Sequence, residues 1–458
     1  MKYITLSIFA SLMTIGACAQ NDMSAYDLNR PFGWAMCTSM TSADDYALTG
    51  GGEQTESNTI TLTSDGEGID MATKITNAIN SYSIVILDGQ KGDFCIGSTM
   101  SIKNKIGKTI VGINNARLCT KFYLTDEIKQ ALDDANVKSA STSSGTGGTL
   151  SNGKSVGEER EYKTRQTIID LTGDTYETYQ KAGIFSFSKC YNFIIRNLVL
   201  VGPGPCDVGG NDLISLTGSQ HFWVDHCELT DGMDGNFDIT NSSDMNTVTW
   251  CKFAYTDRAY DHMNSNLIGS SDSEAADYLN TTMACNVWGY KCNQRMPMAR
   301  AGNIHLIDNF YDCAGNSVAV NPRKNSEFLV ENCYFATGVK QFSQSEAISY
   351  VFKDCYSEDT YTFQQKGTTT VPYEYQKFDV MSVPEELNKY AGATLENPLF
   401  ISVNEETTSI ITKMADEEIR TEYFLLNGLR TANINKGINI VRTTHKNGTT
   451  EIKKILVK

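Results

Sequence analysis

Residues 220–254 read QHFWVDHCELTDGMDGNFDITNSSDMNTVTWCKFA. Two short apolar runs in this stretch end alike, in Val224-Asp225-His226-Cys227 and Val248-Thr249-Trp250-Cys251. The same ending recurs outward in both directions, as Ile195-Arg196-Asn197-Leu198, Met283-Ala284-Cys285-Asn286, Ile307-Asp308-Asn309-Phe310, Val330-Glu331-Asn332-Cys333 and Phe352-Lys353-Asp354-Cys355. With Asn197, Cys227, Cys251, Asn286, Asn309, Cys333 and Cys355 taken as equivalent, the intervals are 30, 24, 35, 23, 24 and 22 residues. A repeat of this length marks a solenoid. Runs this short, with no amphipathic helices between them, exclude a βαβ fold. The expected fold is all-β, a right-handed parallel β-helix with one coil per repeat.

Coils stacked about 4.8 Å apart would let equivalent asparagines form a hydrogen-bonded ladder inside a turn. Cysteine is small and prefers burial, so it can share the rung. Stacked Cα spacing also lies within disulfide range, which leaves Cys227/Cys251 and Cys333/Cys355 either bridged or reduced. Side chains on adjacent parallel rungs point the same way, which favours buried thiols.

The chain has 458 residues, enough for a large domain and an accessory one. Its net charge of −15 argues against nucleic acid as a partner. The same charge disfavours acidic polymers unless a local basic patch or a bound cation reverses the field. Five histidines make a histidine-rich zinc site an unpromising reading. Met1-Lys2 and the apolar run to Ala19 read as an export signal, residues 1–19. Cleavage before Gln20 competes with a lipoprotein-type box ending at Cys18. The main coiled unit is expected over 20–394, with a surface insertion at 124–165 that contains the low-complexity stretch 139–148. A linker at 395–405 leads to a small β-sandwich-like module at 406–458.

Charged groups follow the coil period. Asp212 and Asp234 are 22 residues apart, and Asp238 follows four residues after Asp234. If one coil separates the first two, three carboxylates converge. A calcium ion, which takes 6–8 oxygens, would relieve their repulsion. The bland alternative is three turn aspartates that bind nothing. Arg258 comes 24 residues after Asp234. Arg295 and Arg300 flank Pro297, and paired guanidinium forks suit carboxylate recognition. Each alone could equally be a structural ion-pair partner.

Jointly these segments resemble the pectate lyase superfamily, specifically the first polysaccharide lyase family. The resemblance runs over residues 30 to 395. It is carried by Gly33-Trp34-Ala35, Thr49-Gly50-Gly51, Lys108-Thr109-Ile110-Val111-Gly112, Asp212-Leu-Ile-Ser-Leu216, Phe222-Trp223-Val224-Asp225-His226, Asp234-Gly-Asn-Phe-Asp238, Ile268-Gly-Ser-Ser-Asp-Ser273, Arg295-Met-Pro-Met-Ala-Arg-Ala-Gly302 and Tyr390-Ala-Gly-Ala393. It implies β-elimination of polygalacturonate with Ca2+ as cofactor. Asp212, Asp234 and Asp238 would be the metal ligands. Arg295 would be the base that removes the C5 proton, and Arg258 and Arg300 would bind substrate carboxylates. Asp225 and His226 would support the site. The family usually carries lysine where Arg258 stands. A guanidinium is ordinarily always charged, so a base at Arg295 implies activity favouring alkaline pH. Calcium and arginines would stabilise the developing enolate-like charge.

Two other readings compete: a pectin lyase acting on methyl-esterified polymer, and a non-catalytic glycan-binding β-helix. Retained carboxylates argue against the first and retained Arg295 and Arg300 against the second. The C-terminal module, with Asn427-Gly-Leu-Arg430 and the Lys453–Lys458 tail, resembles the sorting domain of Bacteroidetes type IX cargo. It implies a monomer that is secreted or attached to the outer-membrane surface of a Gram-negative cell.

Overall fold

The computed structural model describes residues 28–137, 156–173, 182–206, 209–399 and 401, together with strands between 418 and 457. The export segment, the stretch 139–148 and residues 402–405 of the linker lie outside the described residues.

Short strands recur in three parallel columns. The first contains Met100–Lys103, Phe185–Ser188, Ile214–Thr217, Phe237–Thr240 and Leu267–Ile268, and then the start of Met298–Ile307. The second runs from Thr59–Thr63 through Tyr191–Arg196, Gln220–Asp225 and Asn246–Thr249 to Ser349–Lys353. The third has nine strands, from Phe94–Ile96 to Tyr356–Ser357. Met298–Ile307 pairs with both the first and second columns, joining them into one 15-stranded sheet. The chain visits the columns in turn, so the expected parallel β-helix is the observed fold.

A left-handed backbone residue closes the link from the second column to the third in each coil. Its φ is 58° at Asn197, 47° at His226, 53° at Trp250, 56° at Cys285, 52° at Asp308, 53° at Asn332 and 53° at Asp354. Asparagine and aspartate tolerate this conformation best, and the tertiary pairing imposes it on histidine and tryptophan as well. The register corrects one rung. Arg196 pairs with Asp225 and Val199 with Glu228, so Leu198, not Asn197, stands level with Cys227. Asn197 occupies the left-handed turn position, and its amide donates to the Gly112 carbonyl at 2.9 Å.

The ladder itself is real three coils further on. Asn309 Oδ1 accepts from the Asn286 backbone N–H at 2.9 Å, and Asn309 Nδ2 donates to the Met283 carbonyl at 2.8 Å. Asn286 Oδ1 accepts from the Cys251 N–H at 2.9 Å. Buried thiols of Cys227, Cys251 and Cys333 occupy the other rungs, and none of these three is bridged to another. Burial and the neighbouring Cys227 thiol push Cys251 well up, which keeps it protonated and inert.

Aromatic rings stack through the third column: Phe253, Trp288, Tyr311 and Phe335 lie 5.6, 4.8 and 4.4 Å apart between centroids. Each such pair adds about 0.5–1.5 kcal/mol beyond area burial. The amphipathic helix Ala72–Ser81 packs Ile75 and Ile79 into the same core, beside Met100–Lys103.

The insertion is more ordered than its composition suggests. Its described parts form the helices Asp126–Asp134 and Val156–Thr172. Ile128, Leu132 and Ile168 close over Met233 and Tyr260 in a separate apolar cluster. Strands Glu418–Leu425, Arg430–Thr431, Gly437–His445 and Thr450–Val457 form one antiparallel sheet. Among the described residues no second sheet completes the sandwich expected there.

Replacing Asn309 by alanine strands the Asn286 N–H and the Met283 carbonyl inside the coil. The Asn309→Ala variant is expected to lose about 1–3 kcal/mol for each group left unsatisfied. A melting temperature equal to wild type would show that the ladder contributes nothing.

Candidate active site

Alternation along the first column aims Phe187, Leu216 and Ile239 into the core. The residues between them form an outward row in register: Ser101, Ser186, Ser215 and Asp238. This row is a floor of small polar side chains that ends in a carboxylate. Asp212 stands just before the strand Ile214–Thr217, and its Oδ2 accepts from Ser215 Oγ at 2.8 Å. Its Oδ1 is buried and has no hydrogen-bond partner.

Gly235 is where the carboxylates meet. A Cβ at this position would stand 2.9 Å from Asp212 Oδ1 and 3.1 Å from Asp238 Oδ1. The glycine in Asp234-Gly-Asn-Phe-Asp238 therefore leaves room for two carboxylates to converge on one point. Asp238 Oδ1 also accepts from the Leu267 N–H at 3.0 Å. Asp234 faces another way: its Oδ1 lies 2.7 Å from His262 Nε2.

Burial and the carboxylates of Asp238 and Asp234 push Asp212 well above the usual range. Burial also raises Asp238, to about 7, with Asp234 adding to the rise and Arg295 opposing it. Burial acts upward on Asp234 too, but the hydrogen bond and charge of His262, with Arg295, outweigh it and hold Asp234 low. The site thus carries more negative charge than its own cations balance. Among the described residues, no three acidic, thiol or imidazole side chains stand ready as a closed metal cage. The Asp212–Asp238 pair, with an orphaned buried oxygen, has the hard-oxygen chemistry of a calcium or magnesium site. Asp234 would join that site by turning from His262.

Arg295 sits half-buried at φ 61°, in the same left-handed turn conformation used throughout the coil. Its carbonyl accepts from the Asn266 N–H at 2.6 Å, and the Met296 N–H donates to Ala319 at 2.9 Å, fixing the backbone on both sides. Its charge acts on all three carboxylates. The guanidinium has no hydrogen bond or ion pair among the described residues, so it is available to a ligand. Arg300 is held by Asp272 at 3.0 Å and by the Gly269 carbonyl at 2.8 Å. Burial and the charge of Arg323 hold Arg300 below its ordinary range.

Five of the six residues singled out by spacing are thus electrostatically linked around one spot. Arg258 is not. It donates to the Gly202 carbonyl at 3.0 Å and lies over the Tyr123 ring at 5.4 Å, beside the third column. The coil here runs 29 residues, from Gly235 to its bridge partner Asn264, and its added length is pinned from outside: Arg160 of the inserted helix pairs with Asp261, and Tyr260 Oη donates to Asp133 at 2.9 Å. Tertiary packing of the insertion thus pins this segment and brings His262, not Arg258, to Asp234. His262 and Arg323 were missed. His262 is one coil beyond Asp234, as the Gly235–Asn264 bridge shows, and Arg323 is one coil beyond Arg300, since Ala299 pairs with Pro322. The coil period could have found Arg323, 23 residues after Arg300, but not His262, 28 residues after Asp234. Asp225 lies in a fully buried network, 2.7 Å from Arg196, 2.8 Å from His226 and 2.7 Å from Thr249.

Residues 136–396 match the family model described as pectate lyase. Pectate lyase A of Aspergillus niger is 31% identical over 215 residues, covering 44% of this chain and 63% of that protein. A probable pectate lyase B of Aspergillus terreus is 32% identical over 197 residues, covering 40% of this chain and 57% of that protein. The chain therefore spans about three-fifths of the length of these curated relatives. Among solved structures, the pectate lyase of Bacillus sp. N165 in complex with trigalacturonate superposes with a TM-score of 0.51 at 17% identity, covering 79% of this chain and 98% of that one. At that identity the likeness is one of fold.

The raised acids set a pH dependence for the metal-free protein. A carboxyl raised in the folded state holds a proton that the unfolded chain releases, so rising pH favours unfolding. In chelator, the melting temperature is expected to fall as pH rises from about 4, the ordinary aspartate range, toward the Asp238 value of about 7. Asp238→Asn should flatten that fall. Equal slopes for variant and wild type would count against the assignment.

Proposed function

Because this chain belongs to the pectate lyase family, we propose that it is an extracellular lyase that cleaves α-1,4-polygalacturonate by β-elimination, leaving 4,5-unsaturated oligogalacturonides. The observation that carries this reading is the unpartnered Arg295 guanidinium beside the Asp212–Asp238 pair converging on Gly235.

Asp212, Asp238 and, after leaving His262, Asp234 would hold Ca2+, which supplies charge neutralisation of the uronate carboxylate and so acidifies the C5 proton. Arg300 and Arg323, on adjacent coils, offer guanidinium forks for substrate carboxylates. The small serines of the first column put little bulk on the face that leads to the carboxylates. Arg295, in its neutral form, takes the C5 proton and becomes the guanidinium cation. As the C5–H electron pair forms the C4–C5 double bond, the C4–O bond breaks and the glycosidic oxygen leaves with that bond's electrons. The trigalacturonate named for the Bacillus sp. N165 structure supports the choice of polymer.

The resemblance of the C-terminal module to a type IX sorting domain supports export, with the module acting as an address outside the catalytic coil.

The test is ultraviolet absorbance of the conjugated product formed from polygalacturonate. Wild type is expected to produce it, chelator to abolish it and Ca2+ to restore it. Arg295→Lys should lower kcat by about 10²–10⁴-fold, the usual range for losing a positioned base. Product from methyl-esterified pectin that is insensitive to chelator would point to a pectin lyase instead. Absence of product from both polymers would leave a glycan-binding β-helix.

A further inference from the structure

A second feature lies on the outer side of the third column, where Arg258 was found. Strands Phe94–Ile96, Arg117–Thr120 and Val199–Val201 run in register there and line a groove of about 700 Å³. Clefts of roughly 300–1,000 Å³ accommodate small ligands. Four cations line it: Lys91, Arg117, Lys121 and Arg258. Glu67 and Asp93 are the acids, and the Arg117–Asp93 pair is loose, at 3.4 Å and largely exposed. A cationic excess is notable in a chain of net charge −15. Tyr123 adds an aromatic face that is 53% exposed.

Arg258 is built into this groove. Gly204, at φ 94°, passes so close that a Cβ would stand 2.8 Å from Arg258 Cγ. The stem is thus seated against glycine backbone, while the Gly202 carbonyl fixes one guanidinium nitrogen at 3.0 Å. The side chain remains about one-third exposed. A guanidinium fixed above an accessible tyrosine ring, with lysines to either side, offers charge to carboxylates and a flat face to a sugar ring.

We propose that this groove is a second binding site for an acidic polysaccharide, separate from the carboxylate–arginine cleft. It would retain polyuronate on the enzyme while the cleft acts on it, and it rests on the lyase reading only for the identity of the polymer. Arg258 thereby keeps a role in binding substrate carboxylates, at a different place from the one its spacing suggested. Asp212, Asp234, Asp238, Arg295 and Arg300 are all absent from its lining.

Native affinity electrophoresis of the full chain, in gels containing polygalacturonate and chelator, tests binding without turnover. The Lys121→Ala/Tyr123→Ala double variant should bind roughly three- to tenfold more weakly than wild type. Arg258→Ala should act in the same direction. Arg295→Ala should keep the groove's share of the retardation, and gels of fully methyl-esterified pectin should show none of it. Melting temperatures matching wild type would establish that the variants fold. Equal retardation of the double variant and wild type would overturn the second site, as would undiminished retardation in the esterified polymer. Wild type that is retarded through this groove but forms no unsaturated product would overturn the lyase reading and leave the groove standing.

Discussion

Everything in this molecule depends on the parallel register between successive coils. Backbone hydrogen bonds lock each strand level with its equivalents, so a residue's neighbours are those one coil away. That constraint produces the Asn286–Asn309 ladder, the Phe253–Trp288–Tyr311–Phe335 stack and the Ser186–Ser215–Asp238 row alike. A side chain is inside or outside according to its step in the strand, and level with its partners according to register. The turns must therefore reverse direction in two or three residues, which is why left-handed backbone recurs even at His226 and Trp250.

The same register creates the chemistry. It stacks carboxylates that would repel one another in open solution and buries two of them, so that Asp212 and Asp238 are both driven toward the protonated state. It also sets arginines at equal heights on neighbouring coils, as with Arg300 and Arg323. A rigid solenoid can sustain such like-charge proximity because its aromatic and aliphatic core, not the site, carries the stability. The Asp234–His262 contact balances part of the charge in the metal-free protein and would be exchanged when a cation arrives.

Much of this could be read in the chain. The interval from Asp212 to Asp234 is one residue short of a coil, since Ile214 pairs with Phe237, and the Arg295–Arg300 spacing spans a turn and the start of one strand. What misled was residue identity used as a marker of position: Asn197 looks like a rung but is the turn residue beside it. Arg258 looked like one coil beyond Asp234, but an insertion changes the local count, and counting cannot see what the insertion packs against. The stretch 124–165 reads as a surface insertion on composition. Composition does not show that its described helices close over Met233 and Tyr260, next to the site.

The sequence by itself determined the period, and with it the coiled fold, the family and the convergence of Asp212, Asp238 and Arg295. These follow from local pattern, because each strand's alternation and each turn's tolerance for left-handed backbone are short-range properties. Only the tertiary structure decided which rung Asn197 occupies, that His262 rather than Arg258 meets Asp234, and that Arg258 seats on Gly204 over Tyr123. The first follows from strand register, and the other two depend on contacts between an inserted pair of helices and a loop far away in sequence. No periodicity encodes such contacts, since they arise from packing between surfaces that exist only once the coil has formed.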